Sequence, residues 1–106
     1  MIEITGDELK ELLYRGKSLN SDTNTREIEG YKVIIKQTLK IELKKLTWRT
    51  IFKEIVFEGN PLILSGSNPN FNNSQTIEFN SCKANNRLEI KRYEGSIFFN
   101  GNNFNT

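Results

Sequence analysis

The sequence predicts an α+β protein that is mainly β: a short N-terminal helix followed by an antiparallel β-meander or small open barrel. Three observations point there. Leu9, Leu12 and Leu13 fall at helical spacing within "TGDELKELLYRG". Apolar and polar residues alternate with period two in "YKVIIKQTLKIEL". Short β-type segments with short turn-rich gaps then run to the end of the chain. At 106 residues the chain is the size of one small domain, divided into a helix (1–17), a β-rich body (27–100) and a tail (101–106).

The helix is expected over residues 5 to 16. Thr5 or Asp7 can accept bonds from the first free amides, and Asp7 and Glu8 suit the positive end of the helix dipole. Gly16 is a natural stop. "KSLNSDTNT" is polar and turn-rich and reads as a loop. In "YKVIIKQTLKIEL" the alternating residues are Tyr31, Val33 and Ile35, then Leu39, Ile41 and Leu43. An antiparallel hairpin that pairs 35 with 39, 33 with 41 and 31 with 43 puts all six on one face. It also sets Lys32 opposite Glu42 on the other face.

"LTWRTIFKEIVFEG" is rich in β-branched and aromatic residues and reads as strand, with Ile51, Ile55 and Phe57 sharing a face and Lys53 interrupting. A helix over roughly 39 to 56 is the competing reading of this region. "GNP" breaks the chain before "LILSG", and "SGSNPNFNNSQ" is a long polar loop. "TIEFNS", "RLEIKR" and "SIFFNG" follow as sequential hairpin strands, with Ile90 matched to Ile97 and Leu88 to Phe99 around a turn near Tyr93 and Glu94.

The ending, "IFFNGNNFNT", raises an alternative: a short β-solenoid behind an N-terminal helical cap. Ile35, Phe57, Phe79 and Phe99 recur at 22, 22 and 20 residues, as rungs would. Phe52, Phe57 and Leu62 are five apart, as are Phe99 and Phe104. With "NPNFNNS" and "GNNFNT", this patterning resembles that of pentapeptide-repeat proteins, and "DELKELLYRGKSL" is similar to the helix that often precedes such repeats. The small residue expected two positions before each Phe is missing at Thr50, Ile55, Asn60 and Ile97.

Charge is segregated along the chain. Residues 1–31 carry four basic and seven acidic groups, net −3; residues 32–53 carry seven and one, net +6; the remainder carries four and five, net −1. The basic segment and its aromatics nominate Lys36, Lys40, Lys44, Lys45, Trp48, Arg49 and Lys53 as contact residues for a protein partner or for nucleic acid. The chain has no histidine, one cysteine (Cys82) and no glycine-rich phosphate loop. That argues against the common catalytic triads, a structural zinc site and nucleotide chemistry, so no enzyme activity, cofactor or metal is expected. No apolar run approaches the roughly 18 residues of a membrane span, and a lone cysteine suits a reducing, cytoplasmic setting. Asparagine occurs 14 times, a bias of the kind genomes low in G and C encode.

These features favour a non-enzymatic binding protein that inhibits or adapts a larger protein or ribonucleoprotein partner. In size and composition the chain resembles small phage-encoded or mobile-element inhibitors such as anti-CRISPR proteins. A toxin-neutralising immunity protein and an RNA- or single-strand-binding module are the alternatives.

Overall fold

The computed structural model describes residues 1–15 and 25–104, without the side chain of Asn72. Gly16 and all but Thr25 of the expected 17–25 loop lie outside the described residues. One helix, α1 (Gly6–Tyr14), follows the first strand, β1 (Ile2–Thr5). The other strands are β2 (Thr25–Glu29), β3 (Tyr31–Ile35), β4 (Leu39–Glu42), β5 (Arg49–Lys53), β6 (Val56–Gly59), β7 (Leu62–Ser65), β8 (Thr76–Asn80), β9 (Lys83–Ala84), β10 (Leu88–Lys91), β11 (Ser96–Asn100) and β12 (Asn103–Phe104). Two 3-10 turns, Leu43–Lys45 and Pro69–Ser74, bridge consecutive strands.

Every strand pair is parallel. The strands form three sheets, ordered β1-β3-β6-β9-β12, β10-β7-β4 and β11-β8-β5-β2. From β2 onward the chain visits the four-stranded, five-stranded and three-stranded sheets in strict rotation. The fold is therefore a three-sided parallel β-solenoid with α1 at its N-terminal end. Thr25, Arg49, Thr76 and Ser96 stand one above another, so successive turns are 24, 27 and 20 residues long.

This overturns the antiparallel meander, while the alternative arrangement is the one observed. β3 and β4 do not pair: they belong to different sheets, and each pairs with the strand one turn on, β6 and β7. The facing was as expected, since Val33, Ile35, Leu39, Ile41 and Leu43 all point into the core. The partners were not. Lys32 meets Glu58 at 3.2 Å rather than Glu42, and Glu42 meets Lys45 at 2.8 Å. Likewise Leu88 and Ile90 lie on Leu62 and Leu64, and Ile97 and Phe99 lie on Ile77 and Phe79. Between 39 and 56 the only helical geometry is the three-residue turn at Leu43–Lys45.

The core is built of columns. Leu39, Leu62 and Leu88 form one, and Ile41, Leu64 and Ile90 another. Ile28, Phe52, Phe79 and Phe99 form a third, in which Phe52 stacks on Phe79 (centroids 4.8 Å, planes 7° apart) and Phe79 on Phe99 (5.5 Å, 9°). Phe104, in the expected tail, belongs to β12. It sits on the Val33, Phe57, Ala84 column and meets Phe79 and Phe99 edge-on. In β5 it is Thr50 and Phe52 that align with the inward Ile77 and Phe79, while Ile51 stands in the outward column between Glu27 and Glu78.

The corners explain the rest of the sequence. Between the four- and five-stranded sheets each turn places one residue in the left-handed region: Gly30, Glu54, Ser81 and Gly101 (φ 79, 52, 56 and 65°). That residue resets the alternation, so Ile55 and Phe57 face inward after Phe52. It also donates its amide to the turn below: Gly30 N to Lys53 O, Glu54 N to Asn80 O, Ser81 N to Asn100 O. Asparagines also tie the corners. Asn60 Nδ2 donates to the Ile35 and Lys36 carbonyls, Asn86 Nδ2 to Gly59 O, and Asn102 Nδ2 to Phe79 O, while Asn102 Oδ1 accepts from Cys82 N. Their abundance thus has a structural use, because a short amide side chain can both donate and accept across one turn spacing.

The N-terminal end is closed. Thr5 and Glu8 form a capping box at the start of α1. Leu9 and Leu13 are fully buried, and Leu12 packs at the edge of the core. The edge strand of the three-stranded sheet, β4, donates Glu42 N to the Tyr14 hydroxyl at 2.8 Å, so the helix satisfies an amide that would otherwise await another strand.

Candidate functional site

The basic segment 32–53 is almost one complete turn of the solenoid, so its cations are carried round the prism rather than along one flat face. Lys36 is at the corner between the five- and three-stranded sheets, and Lys40 faces outward on β4. Lys44 and Lys45 occupy the 3-10 turn, with Trp48 just beyond, 37% exposed. Arg49 and Lys53 stand at the two ends of β5, on a different side. The structure therefore places Lys36, Lys40, Lys44 and Lys45 along the three-stranded side and its corners, leaves Trp48 at the corner that leads into β5, where its carbonyl accepts from Thr76 N at 2.7 Å, and carries Arg49 and Lys53 onto the four-stranded side.

Stacking also undoes the charge segregation. Acids from the neighbouring turns stand beside the basic turn: Glu29 at 3.9 Å from Lys53, Glu58 beside Lys32, and Glu78 beside Arg49. Arg49 gives Glu78 Oε1 both Nε (3.1 Å) and Nη2 (2.7 Å), which fixes the guanidinium flat on the four-stranded sheet. Lys44 and Lys45 share Glu42 at 3.9 and 2.8 Å. The Lys45 hydrogen bond and charge hold Glu42 below its usual range and raise Lys45 in return. Lys45 Nζ also lies 5.1 Å above the Tyr14 ring. Among the described residues, Lys36 and Lys40 make no ion pair within 4 Å, and both are exposed.

The sequence reading missed Lys10. On α1 it lines the same cleft as Lys36, together with Thr5, Gly6, Asp7, Ile34, Ile35, Gln37, Thr38 and Leu39. Its charge also reaches Glu42. The helix and the corner are far apart in sequence, and only the docking of α1 on β3 and β4 joins them.

Among the described residues there is no group of three or more His, Cys, Asp or Glu able to hold a metal ion. Cys82 is buried; its thiol donates to Phe52 O at 3.2 Å, and burial pushes its pKa up. No helix among them is long and apolar enough to cross a membrane. No protein-family model, curated protein or solved structure matches the chain.

Proposed function

We propose that the chain is a non-enzymatic binding protein, a small inhibitor or adaptor that docks on a larger protein or ribonucleoprotein through its basic three-stranded side. The observation that carries this is the run of Lys36, Lys40, Lys44 and Lys45 along the three-stranded side, with Lys10 beside Lys36 in one cleft and the exposed Trp48 at the corner beyond Lys45. Two of these cations, Lys36 and Lys40, are unspent on internal acids. The exposed Trp48 offers an aromatic anchor, and Lys36 and Lys40 offer charge that can steer a partner's approach. The solenoid gives these groups a rigid frame, since each strand is fixed on at least one side by a neighbouring turn.

The same groups could track a single-stranded RNA backbone, with Trp48 stacking a base; the exposed Trp48 is the observation favouring that second reading. Charge reversal tests both. Lys36→Glu combined with Lys40→Glu should abolish partner binding and leave thermal stability unchanged, because neither side chain makes an ion pair among the described residues. Arg49→Ala, by contrast, should spare binding. A complex that survives nuclease and roughly 0.5 M salt supports the protein interface. One that weakens in proportion to the phosphates neutralised supports the RNA reading. Unimpaired binding by the double reversal overturns both.

A further inference from the structure

The two ends of the solenoid are unlike. The N-terminal end carries α1, whereas at the other end β10, β11 and β12 are the last strands of their three sheets. Phe98 and Phe99 of β11 are 49% and 50% exposed, the most exposed aromatic side chains of the described chain. We propose that this end is a self-association surface, on which a second copy of the chain docks by antiparallel pairing of β11 with β11 about a twofold axis at Phe98.

The backbone selects that register. Ser96 N donates to Gln75 O on the β8 side. In a parallel strand the N–H and C=O of alternate residues point to the same neighbour, so those of Ile97 and Phe99 point to the free edge. An antiparallel partner must meet them with its own edge-facing residues. With the axis at residue 98, Ile97 opposes Phe99 of the second copy and Phe99 opposes Ile97. That gives two hydrogen-bonded pairs and four backbone hydrogen bonds. Phe98 then faces its own symmetry mate in the closer, non-hydrogen-bonded pair, and Ser96 faces Asn100.

Every contact in that register joins like with like. Ile97 and Phe99 are inward-facing, so the pairing extends the Phe52, Phe79, Phe99 stack into the second core. "SIFFN" holds no charge and no proline, the devices that usually block edge pairing. The same axis brings β12, which is uncharged, over β10, so the charges of Arg87, Glu89 and Lys91 do not meet their own kind. With extents of 32, 28 and 25 Å, any end face of the molecule is roughly 550–700 Å². Two such faces bury about 1,100–1,400 Å², at the lower end of what a specific interface requires.

Sedimentation velocity on the full chain over a dilution series from about 1 to 200 µM tests this. A reversible monomer–dimer equilibrium is expected. Phe98→Lys, which puts two cations on the axis while leaving the core intact, should weaken it by at least 100-fold without changing the thermal midpoint of the monomer. Phe98→Cys under mild oxidation should give a disulfide-linked dimer. Ser96→Cys should not, because its symmetry mate lies several residues along the strand. A monomer at every concentration, a dimer indifferent to Phe98→Lys, or equal cross-linking of both cysteine variants would overturn the proposal.

Discussion

Gln75→Met is the substitution whose effect the structure defines most closely. Gln75 is fully buried at the end of the longest corner, the Pro69–Ser74 turn that gives its rung 27 residues. Its Nε2 donates to Leu43 O at 2.8 Å and to Thr47 O at 3.4 Å, and its Oε1 accepts from Asn68 N at 3.0 Å. Methionine keeps the length and volume but offers none of these bonds. Leu43 O retains one donor, Leu46 N, so its loss is about 1 kcal/mol. Asn68 N is left buried without an acceptor, which costs roughly 1–3 kcal/mol. The long Thr47 contact adds little. The sum is about 2–4 kcal/mol, or a fall in melting temperature of roughly 10–25 °C for a domain this size. Paired thermal and guanidinium unfolding followed by circular dichroism measures it. A change below about 0.5 kcal/mol would mean that the corner is not held by this amide, and the account of the long turn would fail.

Four further outcomes are expected. Phe79→Ala, which empties the middle of the aromatic stack, should cost about 3–5 kcal/mol; Phe99→Ala, at its half-exposed end, should cost well under half of that in the monomer, both read by guanidinium unfolding. Glu54→Gly should stabilise the chain by roughly 0.5–1 kcal/mol, because glycine adopts the left-handed corner without the Cβ penalty; a lower melting temperature for the variant would contradict that. Cys82 should react with a thiol reagent only at the rate of local or global opening, so the native protein should label at least 100-fold more slowly than the unfolded chain. Burial raises the Tyr93 hydroxyl to about 12. The folded state thus resists its ionisation, and the associated stability is complete below about pH 10 and is lost as pH rises through about 12. Tyr93→Phe should remove that part of the alkaline decline in a pH series of melting temperatures.

What the sequence made legible was direction, not neighbourhood. The period-two pattern correctly turned Val33, Ile35, Leu39 and Ile41 inward. It could not say which strand lies alongside, because a solenoid sheet with one wet face shows the same alternation as an antiparallel one. The repeat itself was hidden by unequal turns. Ile35, Phe57, Phe79 and Phe99 mix three columns: only the step from Phe79 to Phe99 is a true turn, while Ile35 lies over Gly59 and Phe57 over Ala84. The five-residue steps had a different meaning: Phe52 to Phe57 to Leu62, and Phe99 to Phe104, each carry the chain from one sheet's interior to the next. At the basic site, chain order grouped Arg49 and Lys53 with Lys40 because they are close in sequence. The corner at Trp48 sends them to another side, and Glu78 and Glu29, from other turns, neutralise them there.

The stacking of turns also fixes how this chain must fold. Every strand pair joins residues 20 to 29 positions apart, so among the described residues there is no local hairpin to start the process. Each pairing closes a loop of similar length and therefore a similar entropic cost, repaid only when a second turn lies on the first. The expected first stable nucleus is then a pair of whole turns, with growth turn by turn from it. Amide exchange should consequently be slowest in β5 and β8, which are flanked on both sides, and should quicken step by step toward β11 and β12.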